Sequence, residues 1–171
     1  SLGPHWANVG NTPFRYFKNY SYEGGIRTPM VAYWPAVIKD PGRISRMPGH
    51  FIDIMATFVD ITGAEYPEFY RDQEVYPYEG KSMFPVFKSE TVQRNKPLYW
   101  KWAKGSAMLD GRWKIVKHGE DKAWDLYDVE MDPTETNNLA DQYPEKVEEM
   151  DGIFREWELR VGPSTMLRNR N

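Results

Sequence analysis

The 171-residue chain contains no cysteine, which removes disulfides and thiolate metal sites from consideration and leaves the redox compartment open. No apolar run approaches the roughly 18 residues that a membrane-spanning helix needs. An excess of basic charge is missing too. The 22 Lys and Arg stand against 25 Asp and Glu, a formal net charge of −3, whereas a nucleic-acid binder is usually basic. There is no internal repeat and no low-complexity tract. The three histidines, His5, His50 and His118, are too scattered to suggest a metal site by spacing. The chain has neither an initiator Met nor a signal peptide. Its opening Ser1-Leu2-Gly3-Pro4 reads as the interior of a loop, so a natural start further upstream is expected. What is present is apolar and aromatic: 40% hydrophobic and 15% aromatic residues exclude a disordered chain, and the length suffices for a core.

The stretch from Asn11 to Pro29 gathers Arg15, Lys18, Glu23 and Arg27 around the Gly24-Gly25 pair. Adjacent glycines permit backbone angles that other residues avoid, so a sharp turn is expected here. Met30 to Trp34, closed by Pro35, reads as a short buried strand. Such a loop suits the presentation of positive charge to an anion. On spacing alone an ordinary solvated surface loop is the commoner use of such a stretch.

Residues 1 to 29 read as loop-rich, with Gly3, Pro4, Gly10 and Pro13 as punctuation. Gly49 to Thr62 predicts a helix, with Phe51, Ile54, Met55, Phe58 and Thr62 on one face and Gly63 as its stop. His50 and Asp53 open that helix, and an acid in a first turn ordinarily serves the helix dipole rather than a metal. Residues 64 to 97 read as irregular. Four short antiparallel strands follow, at 97–103, 106–109, 112–117 and 123–127, with Asp110-Gly111 as the hairpin signal. Leu98, Trp100 and Trp102 alternate onto one strand face. A sugar-stacking platform is one use of that stripe, and core is the commoner one. Asp125, Asp128, Asp132, Glu135, Asn137 and Asn138 invite a calcium reading, but the spacing is not that of an EF-hand, and turns and caps account for it better. Pro144 opens a last helix that presents Val147, Met150, Phe154, Trp157 and Val161 on one face. Gly162-Pro163 ends it, and a frayed tail to Asn171 is expected.

The string Lys18-x-x-x-Tyr22-Glu23-Gly24-Gly25-Ile26-Arg27-x-Pro29 resembles the second signature of the type I sulfatases of the alkaline phosphatase superfamily. Gly3-Pro4-His5-Trp6-Ala7-Asn8, running into Asn11-Thr12-Pro13-Phe14-Arg15, is similar to the lead-in of bacterial arylsulfatase-like members. Gly80 to Pro85 resembles a segment that precedes their C-terminal sheet, and Asp125 to Leu139 resembles the stretch that closes it. The resemblance implies that Lys18 contacts the sulfate group, and that His5, Trp6 and Asn8 line the same pocket. An ammonium at that place makes charge-assisted hydrogen bonds and stabilises charge growing on the leaving oxygen. The Glu-Gly-Gly portion is expected to be architectural.

The same resemblance implies an α/β, alkaline-phosphatase-like fold. This chain would supply the end of a large mixed sheet, then a small four-stranded antiparallel sheet packed by a C-terminal helix. The expected divisions are residues 1–63 as the end of a catalytic domain, 64–96 as a connector, and 97–171 as the small sheet with its helix. Sulfatases of this family use a formylglycine, made from Cys or Ser in Cys/Ser-x-Pro-x-Arg, and a divalent cation, usually calcium. Asn11 stands where that Cys or Ser must be, and an amide is not converted to the aldehyde by that chemistry. No catalytic residue and no metal ligand is therefore expected in this chain, and the fragment alone is expected to be inactive. A sulfate ester, in particular a sulfated glycan, is the implied substrate, and a periplasmic or secreted location is implied with it. A phosphonate or phosphodiester hydrolase of the same superfamily and a glycan-binding module that uses the tryptophans are the alternatives. Asn19-Tyr20-Ser21 is also a glycosylation sequon.

Overall fold

The computed structural model describes residues 3–162. Its elements in chain order are α1 (Gly3–Val9), α2 (Glu23–Ile26), α3 (Ile52–Thr62), β1 (Phe69–Tyr70), β2 (Gln73–Glu74), α4 (Phe84–Phe87), β3 (Leu98–Trp102), β4 (Gly105–Asp110), β5 (Trp113–His118), β6 (Asp125–Asp128) and α5 (Pro144–Val161). Two units emerge. One joins residues 1–29 to 96–171, and the other is residues 30–95. The sequence reading drew breaks after 63 and 96. The structure instead gathers the Lys18 loop with the small sheet.

In the first unit, β3 to β6 form an antiparallel meander. Period-2 alternation sends side chains to two faces. One face carries the cross-strand row Tyr99, Met108, Ile115 and Leu126. Met150 and Phe154 of α5 are buried against it, with Val147 and Trp157 alongside. Burial of each such large side chain is worth about 1.5–3 kcal/mol. The other face carries Trp100, Ala107, Val116 and Tyr127, and is covered by Tyr22, with Tyr16 and Tyr20 beside it. Both faces are therefore covered, one by a helix and one by the Lys18 loop. The tryptophan stripe is mainly core: Leu98 is buried and Trp100 packs inward. Trp102 stays half exposed and donates its indole N–H to Asn19 Oδ1 at 3.2 Å. The hairpin between β4 and β5 turns at Gly111 and Arg112, one residue later than the sequence suggested, with Gly111 at φ 57°. The helix at the end runs as expected from Pro144, while Pro163 and the tail lie outside the described residues.

Two expectations for the opening of the chain change. Residues 3–9 form a helix rather than a loop, with Pro4 in its first turn, where a proline N–H is not needed. The strand expected at 30–34 does not form among the described residues. A strand needs a ladder partner, and this segment has none, so Val31 is 92% and Tyr33 89% exposed. The end of a large mixed sheet is accordingly not built within these residues.

In the second unit, α3 forms and stops at Gly63, whose amide reaches Val59 O at 2.9 Å. Its orientation is the reverse of the expectation. Phe51 and Phe58 are 85% and 59% exposed, while Asp53, Ala56 and Thr57 are buried. The reason is polar. Asp53 accepts the His50 and Lys81 amides, both at 2.8 Å, and pairs with Arg94, while Thr57 Oγ1 accepts the Met83 amide at 2.9 Å. Residues 80–83 thus lie along the narrow polar stripe of α3. Asp53 is a structural anchor, and a metal-ligand role for it finds no support. The region read as irregular also holds the small hairpin β1–β2, whose turn residues Arg71 and Asp72 both have positive φ, the pattern of a type I′ turn.

Candidate functional site

The site is built on residues 11–29. Gly24 N donates to Arg15 O at 2.9 Å and closes the ten residues Arg15 to Gly24 into a compact loop. At its tip, Tyr20 N donates to Phe17 O at 3.1 Å, so Lys18 and Asn19 are the central residues of a turn. Asn19 takes φ 82° there, the second central position at which turns with positive φ favour Gly or Asn. The interior is aromatic. Tyr16 stacks on Tyr20 at 4.5 Å, and Tyr20 stacks on His118 of β5 at 4.4 Å.

Gly24 and Gly25 are needed for closeness rather than for unusual angles. Neither has positive φ, and both lie in the single helical turn α2. A Cβ on Gly24 would lie 2.2 Å from Arg15 O, and one on Gly25 would lie 1.9 Å from Tyr20 O. The loop backbone therefore rests directly on the glycine backbone.

The neck of the loop is fastened to the sheet by buried charge. Lys114, in the middle of β5 and fully buried, meets Glu23 Oε1 and Glu135 Oε1, each at 2.7 Å. The contact with Glu23 has hydrogen-bond geometry, and that with Glu135 is an ion pair outside hydrogen-bond angles. Glu135 Oε2 accepts the Glu23 amide at 2.7 Å, and Glu135 O accepts Arg15 Nη1 at 2.5 Å. Arg15 Nη1 also donates to the Tyr127 hydroxyl at 3.1 Å. Tyr22 donates its hydroxyl to Asp125 Oδ2 at 2.5 Å. Burial raises the Glu135 carboxyl above its ordinary range, against the pull of Lys114. Burial likewise raises the Tyr22 hydroxyl, helped by its bond to Asp125. It pushes Tyr127 up to about 12, helped by the charge of Asp125. The Glu-Gly-Gly portion is architectural, as its chemistry suggested.

Lys18 is exposed and makes no hydrogen bond or ion pair with another described residue. A shallow groove of about 520 Å³ runs between α1 and the loop, lined by His5, Asn8, Val9, Tyr16, Phe17 and Tyr20 among others. His5 and Asn8 thus meet the aromatic side of the loop. Trp6 is not part of that lining and is 69% exposed, and Lys18 stands outside the groove next to Phe17. Asn11 is a brace, donating to Ala7 O at 2.9 Å and Tyr16 O at 3.3 Å, so its place in the Asn-x-Pro-x-Arg string is structural. Of the acids near the end of the sheet, Asp128 and Asp132 serve turns, whereas Asp125 and Glu135 hold the loop. Asp132 accepts the Thr136 and Asn137 amides, and Asn138 Oδ1 accepts the Leu126 and Ala140 amides. Among the described residues, no group of three or more His, Asp or Glu side chains is placed to hold a metal ion. The described residues do not fit a calcium site. The sequence does not single out Lys114, and it places Glu135 only among turn and cap residues. A lysine between Trp113 and Ile115, on the same strand face as Val116, was the one available signal.

A family model described as N-sulphoglucosamine sulphohydrolase, C-terminal, matches residues 13–156. The chain belongs to this sulfatase family. An uncharacterized sulfatase of Schizosaccharomyces pombe is 28% identical over 95% of this chain and 30% of that protein. The N-acetylgalactosamine-6-O-sulfatase of Bacteroides thetaiotaomicron is 26% identical over 85% of this chain and 30% of that protein. The crystal structure of Ps i-CgsB in complex with k-i-k-neocarrahexaose superposes with a TM-score of 0.71 at 26% identity, covering 86% of this chain and 32% of that one. The chain thus spans about 30% of the length of the curated sulfatases it matches. Among the described residues no helix of this sulfatase segment is long and apolar enough to cross a membrane.

Proposed function

We propose that this chain is the C-terminal portion of a sulfatase that hydrolyses sulfate esters, and that Lys18 holds a sulfate oxygen of the substrate. In that reaction the S–O ester bond breaks, an alcohol leaves, and sulfate is released. The formylglycine nucleophile and the divalent cation come from sequence outside these residues. The observation that carries the reading is the unpartnered ammonium of Lys18 at the tip of a fastened loop, in a chain of this family. An ammonium there neutralises sulfate oxygens and stabilises negative charge as it develops on the leaving oxygen. His5 and Asn8 line the adjacent groove from α1. The substrate class is a sulfated glycan, a reading supported by the glycan that Ps i-CgsB carries and by the hexosamine sulfatase among the relatives.

The exposed apolar positions of residues 30–58 are the surfaces on which the remainder of the sulfatase packs. By itself the chain is inactive, and measurable turnover of an aryl sulfate by the pure 171-residue chain would contradict this. In the full-length protein, Lys18→Ala lowers turnover by about 10²–10³ while leaving the unfolding midpoint unchanged. Near-normal turnover in that variant would sink the assignment. Phosphate and sulfate are close in shape, so matched aryl sulfate and aryl phosphate esters separate a sulfatase from a phosphonate or phosphodiester hydrolase.

A further inference from the structure

The Lys18 loop rests Tyr16, Tyr20 and Tyr22 on one face of the sheet. Its two ends meet at a neck, where Arg15 and Glu23 come together at the start of α2. Both sides of the neck are gripped by one residue far along the chain. The backbone carbonyl of Glu135 takes Arg15, and its carboxylate takes the Glu23 amide, across 120 and 112 positions respectively. Glu135 does this from φ 57°, a backbone conformation that an ordinary residue adopts only when its surroundings enforce it. Lys114 lies under both carboxylates and is wholly buried, so its removal leaves two acids without their counter-charge. A lysine in the centre of a four-stranded sheet contributes less to packing than an aliphatic residue. Its placement is explained by the two acids that it holds in register.

We propose that Glu135 and Lys114 are positioning residues that set the direction of the Lys18 turn, so that the small C-terminal sheet acts as the mould for the substrate loop. The role in substrate binding rests on the reading of Lys18 given above, whereas the clamp on the loop stands on the geometry alone. The consequence is selective. Loss of the clamp frees residues 15–24 but leaves the β4–β5 pairing and the α5 face intact, because the row Tyr99, Met108, Ile115, Leu126 lies on the opposite side of the sheet.

Amide hydrogen exchange on the full 171-residue chain tests this, with inorganic sulfate as the binding probe. Glu135→Ala should speed exchange at Gly24 and Tyr20 by about tenfold or more while amides inside β4 and β5 change by less than about twofold. Glu135→Gln keeps an acceptor for the Glu23 amide and should restore most of the protection. If Glu135→Ala fails to fold, Arg15→Met cuts the other side of the neck and should free the same two amides. Equal loss of protection in loop and sheet would assign these residues a general structural role and overturn the proposal, as would unchanged exchange at Gly24. Weakened resonance shifts of the Lys18 side chain on sulfate titration in Glu135→Ala, recovered in Glu135→Gln, extend the clamp to binding. The clamp stands or falls on the exchange result alone, and the assignment of Lys18 on the turnover of Lys18→Ala in the full-length protein.

Discussion

Phe154 and Phe58 both sit on amphipathic helices of one polypeptide, yet the first is 2% exposed and the second 59%. The difference lies in what each helix meets. α5 lies on a sheet face whose Tyr99, Met108, Ile115 and Leu126 accept its apolar side. α3 has no such surface within residues 30–95, and what it buries is a stripe of Asp53, Ala56 and Thr57, satisfied by the amides of 81 and 83 and by Arg94. One unit has a closed core. The other is organised by buried polar contacts, and Ile52, Ile54, Met55 and Phe58 of α3 stay outside. An amphipathic pattern therefore specifies a helix and a face, and the chain around it decides whether that face is covered.

The largest test of this contrast is Phe154→Ala, which should cost about 3–5 kcal/mol in urea denaturation followed by tryptophan fluorescence. A loss below about 1 kcal/mol would mean that the sheet does not depend on α5. Asp53→Asn attacks the other unit through its polar anchor. It should cost about 1–3 kcal/mol, seen as faster proteolysis within residues 30–95 with the sheet still resistant. Equal protease sensitivity in both units would remove the distinction drawn between them. Alkaline titration probes the loop side of the sheet. Tyr22 and Tyr127 have raised folded-state values, so the neutral hydroxyls favour the folded state. Their contribution is complete below the unfolded value near 10 and is lost as pH rises through the folded value, about 12 for Tyr127. The unfolding midpoint should fall across that window, and Tyr127→Phe should flatten the fall; an unchanged slope would reject this account. Phe58→Ser has the smallest expected effect, within about 0.5 kcal/mol, with reduced binding of a hydrophobic dye. A loss of 3 kcal/mol or more, on the scale of core truncations, would place Phe58 in a core after all.

The parts legible in advance were those with local periodicity. Alternation located β3 to β6 to within a few residues, and the i, i+3, i+4 spacing of Met150, Phe154 and Trp157 located α5. The architectural role expected of Glu23-Gly24-Gly25 is met by the buried ion pair of Glu23 and the close backbone contacts of the glycines, while the role proposed for Lys18 rests on its motif. The run Met30 to Trp34 looked like a strand because composition reports a preference for pairing and not the presence of a partner. Lys114 and Glu135 were out of reach because their meaning lies in contacts with Glu23 across 91 and 112 positions. No window of sequence brings those residues together.

Those separations also bear on the order in which the protein is made. Arg15 leaves the ribosome 120 residues ahead of the carbonyl that holds it. Until Glu135 follows, the turn that carries Lys18 has no clamp at its neck, and its closing contacts are among the costliest in chain entropy. A nascent chain halted before Glu135 would already contain the entire Lys18-loop sequence, from Asn11 to Pro29, and would still lack the contacts that close its neck. A residue that emerges after the last strand of the sheet thus sets a loop that emerged before any strand.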